Sequence, residues 1–465
     1  MINRRAFAQL LAAGLAAPAA AAPASAAAAG PAGSAATPPK GRAAEVLALR
    51  RFAEKTSPRG FEAAADAGWI RRWNHLQQQA DALDDGAYVI ELRRALAWFR
   101  EGHTTIVPFE FLGSVPPPLA GGAWGLRLPL KALPFHDGLW VTETSSEARA
   151  LLGTRIQSIG KRPIQEIMAE HARSWPGENP AWAHNWAGLL ASSPGTLRGL
   201  GVAHGSISAP LPFDSVSGDG TAKTLAVSPH SGGDQDRIKV ARSLTRVEQF
   251  RAEAGVGNFL KPLPGALYVS IDDMADLKEL SFAQFTDSVL SGMRPESIER
   301  IVIDLRRNGG GDNYLGEPLR HELARSRFNA PGGLCVLTGP GTFSAAQNFA
   351  NRVERECFAT FIGEPTGSAP NLVGDPVFHV GAATGITAMV ATKRWFDGGP
   401  DDGRRWIFPD VFVPSLYADW AAGRDPALDA ALSLKPVGAN TFAARIRYFE
   451  RDSQQARWTP FWNPA

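Results

Sequence analysis

The sequence predicts a mixed α/β protein: a core built on a mainly parallel sheet, preceded by an N-terminal helical domain and a β-rich insert. Three observations predict it. Apolar residues recur three and four apart from Gly41 to Arg100, the period of an amphipathic helix. Short strand-like runs broken by Pro and Gly occupy Thr104 to about Gln235. Beyond Pro264, buried-type strands alternate with helical stretches, a pattern that calls for right-handed crossovers and helices on both sheet faces.

In chain order, Met1–Ala29 has a charged start, an Ala/Leu stretch and small residues suited to a signal peptidase. Its Arg4-Arg5 pair resembles a twin-arginine export signal. Residues 30–41 read as a Pro/Gly/Ser-rich disordered leader. Helices then fill 42–103, broken at Pro58–Gly60 and Asp84–Gly86, and the third delivers His103 onto a loop. The β-rich region spans 104–240. Within it Leu152–Ile167, LGTRIQSIGKRPIQEI, resembles the strand–turn–helix of a PDZ module; an irregular β insert is the alternative. The core spans 241–440, with strands at Leu267–Ile271, Glu299–Leu305, Gly333–Thr338 and Phe358–Ile362. Helices are expected at Phe282–Met293, Tyr314–Arg325 and Ser344–Arg355, and 441–465 is a C-terminal extension.

Charge excludes some partners. With 48 Lys and Arg against 46 Asp and Glu and no basic block, nothing points to nucleic acid. No segment after the leader offers eighteen uninterrupted apolar residues, the length of a membrane span. The two cysteines, Cys335 and Cys357, are either a disulfide or two buried thiols. No His or Cys spacing matches a metal site, and no cofactor is expected.

The chemistry concentrates at Gly339–Ala346, GPGTFSAA, where a serine follows an apolar strand at the mouth of a helix. Such a turn lifts a hydroxyl out of the core, and the helix start supplies unpaired amides. Taken alone, Ser344 reads as a helix N-cap, and it is the rest of the chain that turns the reading toward a nucleophile. Earlier, Asp304–Gly311, DLRRNGGG, follows a strand directly, and its glycines allow positive φ and close backbone approach. Asp304 and Glu364 read as turn residues. Ser158–Lys161, a Ser-x-x-Lys match without its companion motifs, reads as a strand-end turn.

DLRRNGGG, then LTGPGTFSAAQNFA, FIGEPTG and the late WIFPD at Trp406–Asp410 together resemble the tail-specific (C-terminal processing) serine peptidase family. The resemblance implies a crotonase-like core and hydrolysis of peptide bonds in a peptide or protein substrate. In the dyad branch of that family a lysine follows the GE-x-T-x-G motif; here the place reads Gly367-Ser368-Ala369. The sequence is similar instead to the tricorn-core branch, which uses a histidine from an N-terminal domain and a late acid. His103, in REGHTTI, matches the family's Gly-His-Thr pattern, and an imidazole suits a base near neutrality. Asp402 stands at that branch's serine-to-acid spacing, with Asp401 next. The expected site is Ser344 as nucleophile, His103 as base and Asp402 as its orienting acid, with the N–H groups of Gly310 and Ala345 as oxyanion hole. A periplasmic or secreted location follows from the leader. A non-catalytic protein binding a peptide or a small hydrophobic ligand on the same fold is the alternative.

Overall fold

A computed structural model describes residues 41–112, 114–231, 236–255, 257–436 and 460–462. The export signal, the leader and nearly all of the C-terminal extension lie outside the described residues.

The core sheet has six strands. Ala266–Ser270, Arg300–Asp304, Leu334–Thr338, Thr360–Gly363 and Val411–Phe412 run parallel, and Phe259–Leu263 closes one edge antiparallel. The four longer parallel strands are buried at every position, as both-face coverage requires. Alternation then divides their side chains. Leu267, Val269, Ile301, Ile303, Leu334 and Val336 pack with Phe285, Leu319 and Phe349 from helices on one face. Tyr268, Val302, Cys335, Leu337 and Ile362 pack with Leu428 from helix Pro426–Ser433 on the other. The antiparallel edge strand and the helix Arg246–Ala254 before it carried no period strong enough to be read from sequence. Trp406–Asp410 is a connection that ends in the short strand Val411–Phe412, with Asp410 Oδ2 accepting from the Phe361 amide at 2.8 Å.

The β-rich region forms one antiparallel sheet, Leu130–Phe135, Gly138–Thr144, Thr154–Ile159, Leu211–Ser217 and Ala222–Val227, with two short strands on its flank. Helix Ile164–Ser174 packs its Ile164, Ile167 and Met168 into the sheet's core, where Trp462 also inserts. Ser158 donates to Asp214 Oδ2 at 2.5 Å and Lys161 takes positive φ, so the Ser-x-x-Lys match is a strand-end turn.

The helices Gly41–Thr56, Ala67–Gln79 and Asp85–Leu96 enclose Trp69, Trp73, Tyr88 and Leu92. Three residues from far downstream, Ile386, Ala388 and Val390, complete that cluster. Ala388 and Val390 belong to strand Thr387–Val390, which Ile386 directly precedes, and that strand pairs with Thr105–Ile106 in the register Thr105↔Met389 and Ile106↔Ala388. The helical unit and the late core segment therefore share one hydrophobic cluster and one small sheet. Both cysteines are free thiols, and burial pushes Cys335 up to about 12 and Cys357 up to about 11.

Candidate active site

Ser344 sits between strand Leu334–Thr338 and helix Ala345–Glu356 with φ 56° and ψ −125°. Its hydroxyl makes no capping bond to the helix. It lies 2.8 Å from His103 Nε2 instead. The turn that holds it is tied to the preceding glycine turn. Thr342 Oγ1 donates to the Leu305 carbonyl at 2.9 Å, and the Phe343 amide donates to the Asn308 carbonyl at 3.0 Å. The Ser344 amide donates to Ser368 Oγ at 3.3 Å. Ser368, fully buried, thus stands behind Ser344 in the stretch where the dyad branch carries lysine.

His103 arrives on a short segment, Glu101–Val107, that is buried throughout. Arg100 turns left-handed at φ 54° to end the helical run, and the Thr104 amide bonds back to the Glu101 carbonyl. Thr104 Oγ1 donates to Glu101 Oε2 at 3.0 Å and accepts from the Ala391 amide at 3.1 Å. Strand Thr105–Ile106 then pairs across to Thr387–Val390. The imidazole stacks on Phe343, centroids 4.5 Å apart, and Phe343 stacks on Trp182 at 3.7 Å. A side chain at Gly102 would lie 2.6 Å from the Phe343 ring, so glycine is required there. His103 is 4 % exposed, and this burial drives its pKa down to about 4, partly opposed by the Val373 main chain. Its Nδ1 is buried with no partner in hydrogen-bonding geometry among the described residues.

The other expected members lie differently. Asp402 is turned onto Arg404, which grips both its oxygens at 2.7–3.1 Å and also holds Glu354. A strong cation in reach and a buried carboxylate to share it outcompete a neutral imidazole. Asp402 is therefore not brought onto His103. Asp401 is exposed, Asp397 pairs with Arg352, and Asp410 serves the core strand. Gly310, at φ 116°, brings its backbone against Ser344: a Cβ there would lie 3.0 Å from Ser344 Oγ and 3.1 Å from the Ala345 nitrogen. Its amide, however, donates to Asn308 Oδ1 at 2.9 Å and is committed to the turn. Ala345 is the first residue of its helix, where backbone N–H groups lack intrahelical acceptors. Asp304 is buried, takes the Tyr268 hydroxyl at 2.7 Å and pairs with Arg306, which also binds Asp425.

Sequence reasoning missed Ser368, Phe343, Trp182 and Asn308. The lost lysine was the one signal for Ser368; the others depend on contacts between distant segments. A separate cavity of about 750 Å³ lies between the β-rich sheet and the core behind Gly339–Gly341, and neither Ser344 nor His103 lines it.

No family model matches the sequence, and no curated protein matches it. Among solved structures the fold is shared with mature CPAF: TM-score 0.57, 11% identity, over 90% of this chain and 99% of that one. A structure of mature CPAF complexed with lactacystin aligns with TM-score 0.55 at 12% identity, over 82% of this chain and 95% of that one.

Proposed function

We propose that this chain is an exported serine peptidase of the tail-specific type that hydrolyses peptide bonds through an acyl-enzyme. The observation that carries the reading is the 2.8 Å contact between His103 Nε2 and Ser344 Oγ. The shared fold supports a crotonase-like core, and the antiparallel sheet with helix Ile164–Ser174 is where a PDZ-like function belongs. Neutral His103 takes the Ser344 proton as Oγ attacks the substrate carbonyl. The protonated Nε2 then returns that proton to the leaving amine as the C–N bond breaks, and water releases the acyl group by the same relay. The Ala345 amide is the oxyanion donor, a group whose loss typically costs about 3 kcal/mol of transition-state stabilisation. Gly310 provides the clearance for the oxyanion to approach. The twin-arginine-type leader assigns the mature protein to the periplasm or the medium, and no helix among the described residues is long and apolar enough to cross a membrane.

The test is covalent labelling of Ser344 by a fluorophosphonate, with peptide hydrolysis measured beside Ser344→Ala and His103→Ala. Labelling and cleavage are expected to vanish in the first and to fall by about a thousandfold in the second. An unlabelled wild-type protein would instead favour a binding protein without catalysis.

A further inference from the structure

In a serine–histidine site the third group has two tasks: it holds the imidazole plane, and it stabilises the imidazolium that forms when the serine proton arrives. At His103 no carboxylate among the described residues does either. Nδ1 is buried without a partner in hydrogen-bonding geometry, and Asp402 is held by Arg404. Burial also works against the charge, driving His103 down to about 4. What does lie on the imidazole is a ring. Phe343 stacks on it with centroids 4.5 Å apart and planes 27° from parallel, inside the ~6 Å over which a ring face attracts a cation.

The stack has its own supports. Trp182 lies flat behind Phe343, with centroids 3.7 Å apart and planes 7° from parallel, and Trp186 meets Trp182 edge-on at 5.4 Å. Phe343 and Trp182 are both buried. Trp182 is fixed through its main chain: Asn179 Oδ1 accepts from its amide at 3.2 Å, while Asn179 Nδ2 donates to the Thr366 and Arg405 carbonyls at 3.1 and 2.7 Å. Two glycines make room for the pair. A Cβ at Gly102 would lie 2.6 Å from the Phe343 ring and 3.2 Å from Trp182 Nε1, and one at Gly177 would lie 2.8 Å from Trp182 Cδ1. Neither glycine has a positive φ, so clearance for the rings is the demand that glycine meets at both places. Phe343 also precedes Ser344 directly, with its amide on the Asn308 carbonyl, so one turn presents both the hydroxyl and the ring that faces its base.

We propose that Phe343, backed by Trp182, is the positioning residue for His103: its ring face holds the imidazole plane against Ser344 and favours the imidazolium over the neutral base, the support expected of Asp402. The inference rests on the serine-hydrolase reading above. As Oγ attacks, its proton moves to Nε2, and the imidazole gains a full positive charge over the negative face of Phe343. That attraction is absent while the base is neutral, so it lowers the barrier instead of merely tightening the site. Burial keeps water, which would weaken the attraction, away from both rings.

The experiment is the rate of Ser344 labelling by a fluorophosphonate in the full-length mature protein, with ortho-, meta- or para-fluorophenylalanine, and then a difluoro analogue, placed at position 343. Fluorine drains the negative ring face and leaves the shape of the ring nearly intact. Each fluorine is expected to slow labelling about twofold, wherever on the ring it sits, with the melting temperature unchanged. Phe343→Leu, which keeps an apolar side chain and loses the face, is expected to be about tenfold slower. Trp182→Phe, which keeps a ring behind Phe343, is expected within about twofold of wild type, and Trp182→Leu about fivefold below it. A flat fluorine series overturns the proposal, as does a loss that follows the fluorine's position and the melting temperature instead of the fluorine count, because the ring is then packing alone. Equal rates in Trp182→Phe and Trp182→Leu overturn it as well. A wild-type protein that never labels overturns the peptidase reading itself, which keeps the two failures apart.

Discussion

Ser344 occupies a backbone region that costs a non-glycine residue about 1–3 kcal/mol, and the hydrogen bonds from Phe343 and Ser344 to Asn308 and Ser368 are what hold it there. In that conformation the hydroxyl meets His103 instead of the helix amides, the arrangement the proposed nucleophile needs and an ordinary N-cap lacks. Gly310 is the tightest test of this geometry. Its positive φ and the 2.6 Å that would separate a Cβ from Ser344 Cβ leave no room for a side chain. Gly310→Ala is expected to slow Ser344 labelling by about a hundredfold or more, with the protein still folded by circular dichroism. Asp402 makes the opposite case. Its carboxylate is 8 % exposed and shares Arg404 with Glu354, so Asp402→Asn is expected to destabilise by about 3 kcal/mol in denaturant titration while labelling survives. Loss of labelling with unchanged stability would return Asp402 to the catalytic group.

At the scale of elements, the site depends on how the first helix is latched. Glu45, 3 % exposed on helix Gly41–Thr56, accepts from Tyr88 Oη at 2.8 Å within the helical unit. It also accepts from the Ala383 amide, the Thr384 amide and Thr384 Oγ1 at 2.7–2.9 Å. One carboxylate therefore fastens the N-terminal helices to the loop that leads into strand Thr387–Val390, and that strand carries the His103 segment. Glu45→Ala leaves these donors buried without their acceptor, a loss of about 3 kcal/mol. Amide exchange should accelerate in Thr387–Val390 before it does in Leu334–Thr338, and labelling of Ser344 should fall with it. Uniform acceleration in both strands would mean that the latch is no local device.

Across the whole molecule, three buried imidazoles set the acid limit. Burial lowers His103 to about 4 and His171 and His184 to about 3, from an ordinary 6.5. A lowered value means that the unfolded chain takes up protons first. The stability these groups contribute is whole above 6.5 and is lost as pH falls from there toward 3. Thermal melts at descending pH should show this loss starting below 6.5, and His171→Asn, remote from the proposed chemistry, should make it shallower. A loss confined to the carboxylate range would show that the imidazoles stay solvated.

Periodicity and punctuation made much of this molecule legible. Strands with a continuous apolar middle, helices with a repeating face, and the Gly-rich and Ser-bearing turns are local patterns, because each depends on neighbours within one or two turns of chain. Ser344 and His103 were readable for the same reason: each sits in a short motif at the end of a regular element. The strands Thr105–Ile106 and Val411–Phe412 were not legible, since two residues carry no period and exist only because a partner strand is there. Nor could spacing choose the acid. Position along the chain put Asp402 at the right interval, but a charged group goes to its strongest neighbour in space, and Arg404 beside Glu354 is such a neighbour. Likewise the Gly310 amide met Asn308, two residues away, once the turn closed. Local sequence chose the alcohol, the imidazole and the bends that present them. Folding chose their company, because desolvation and competition among buried charges are decided only when distant segments are packed together.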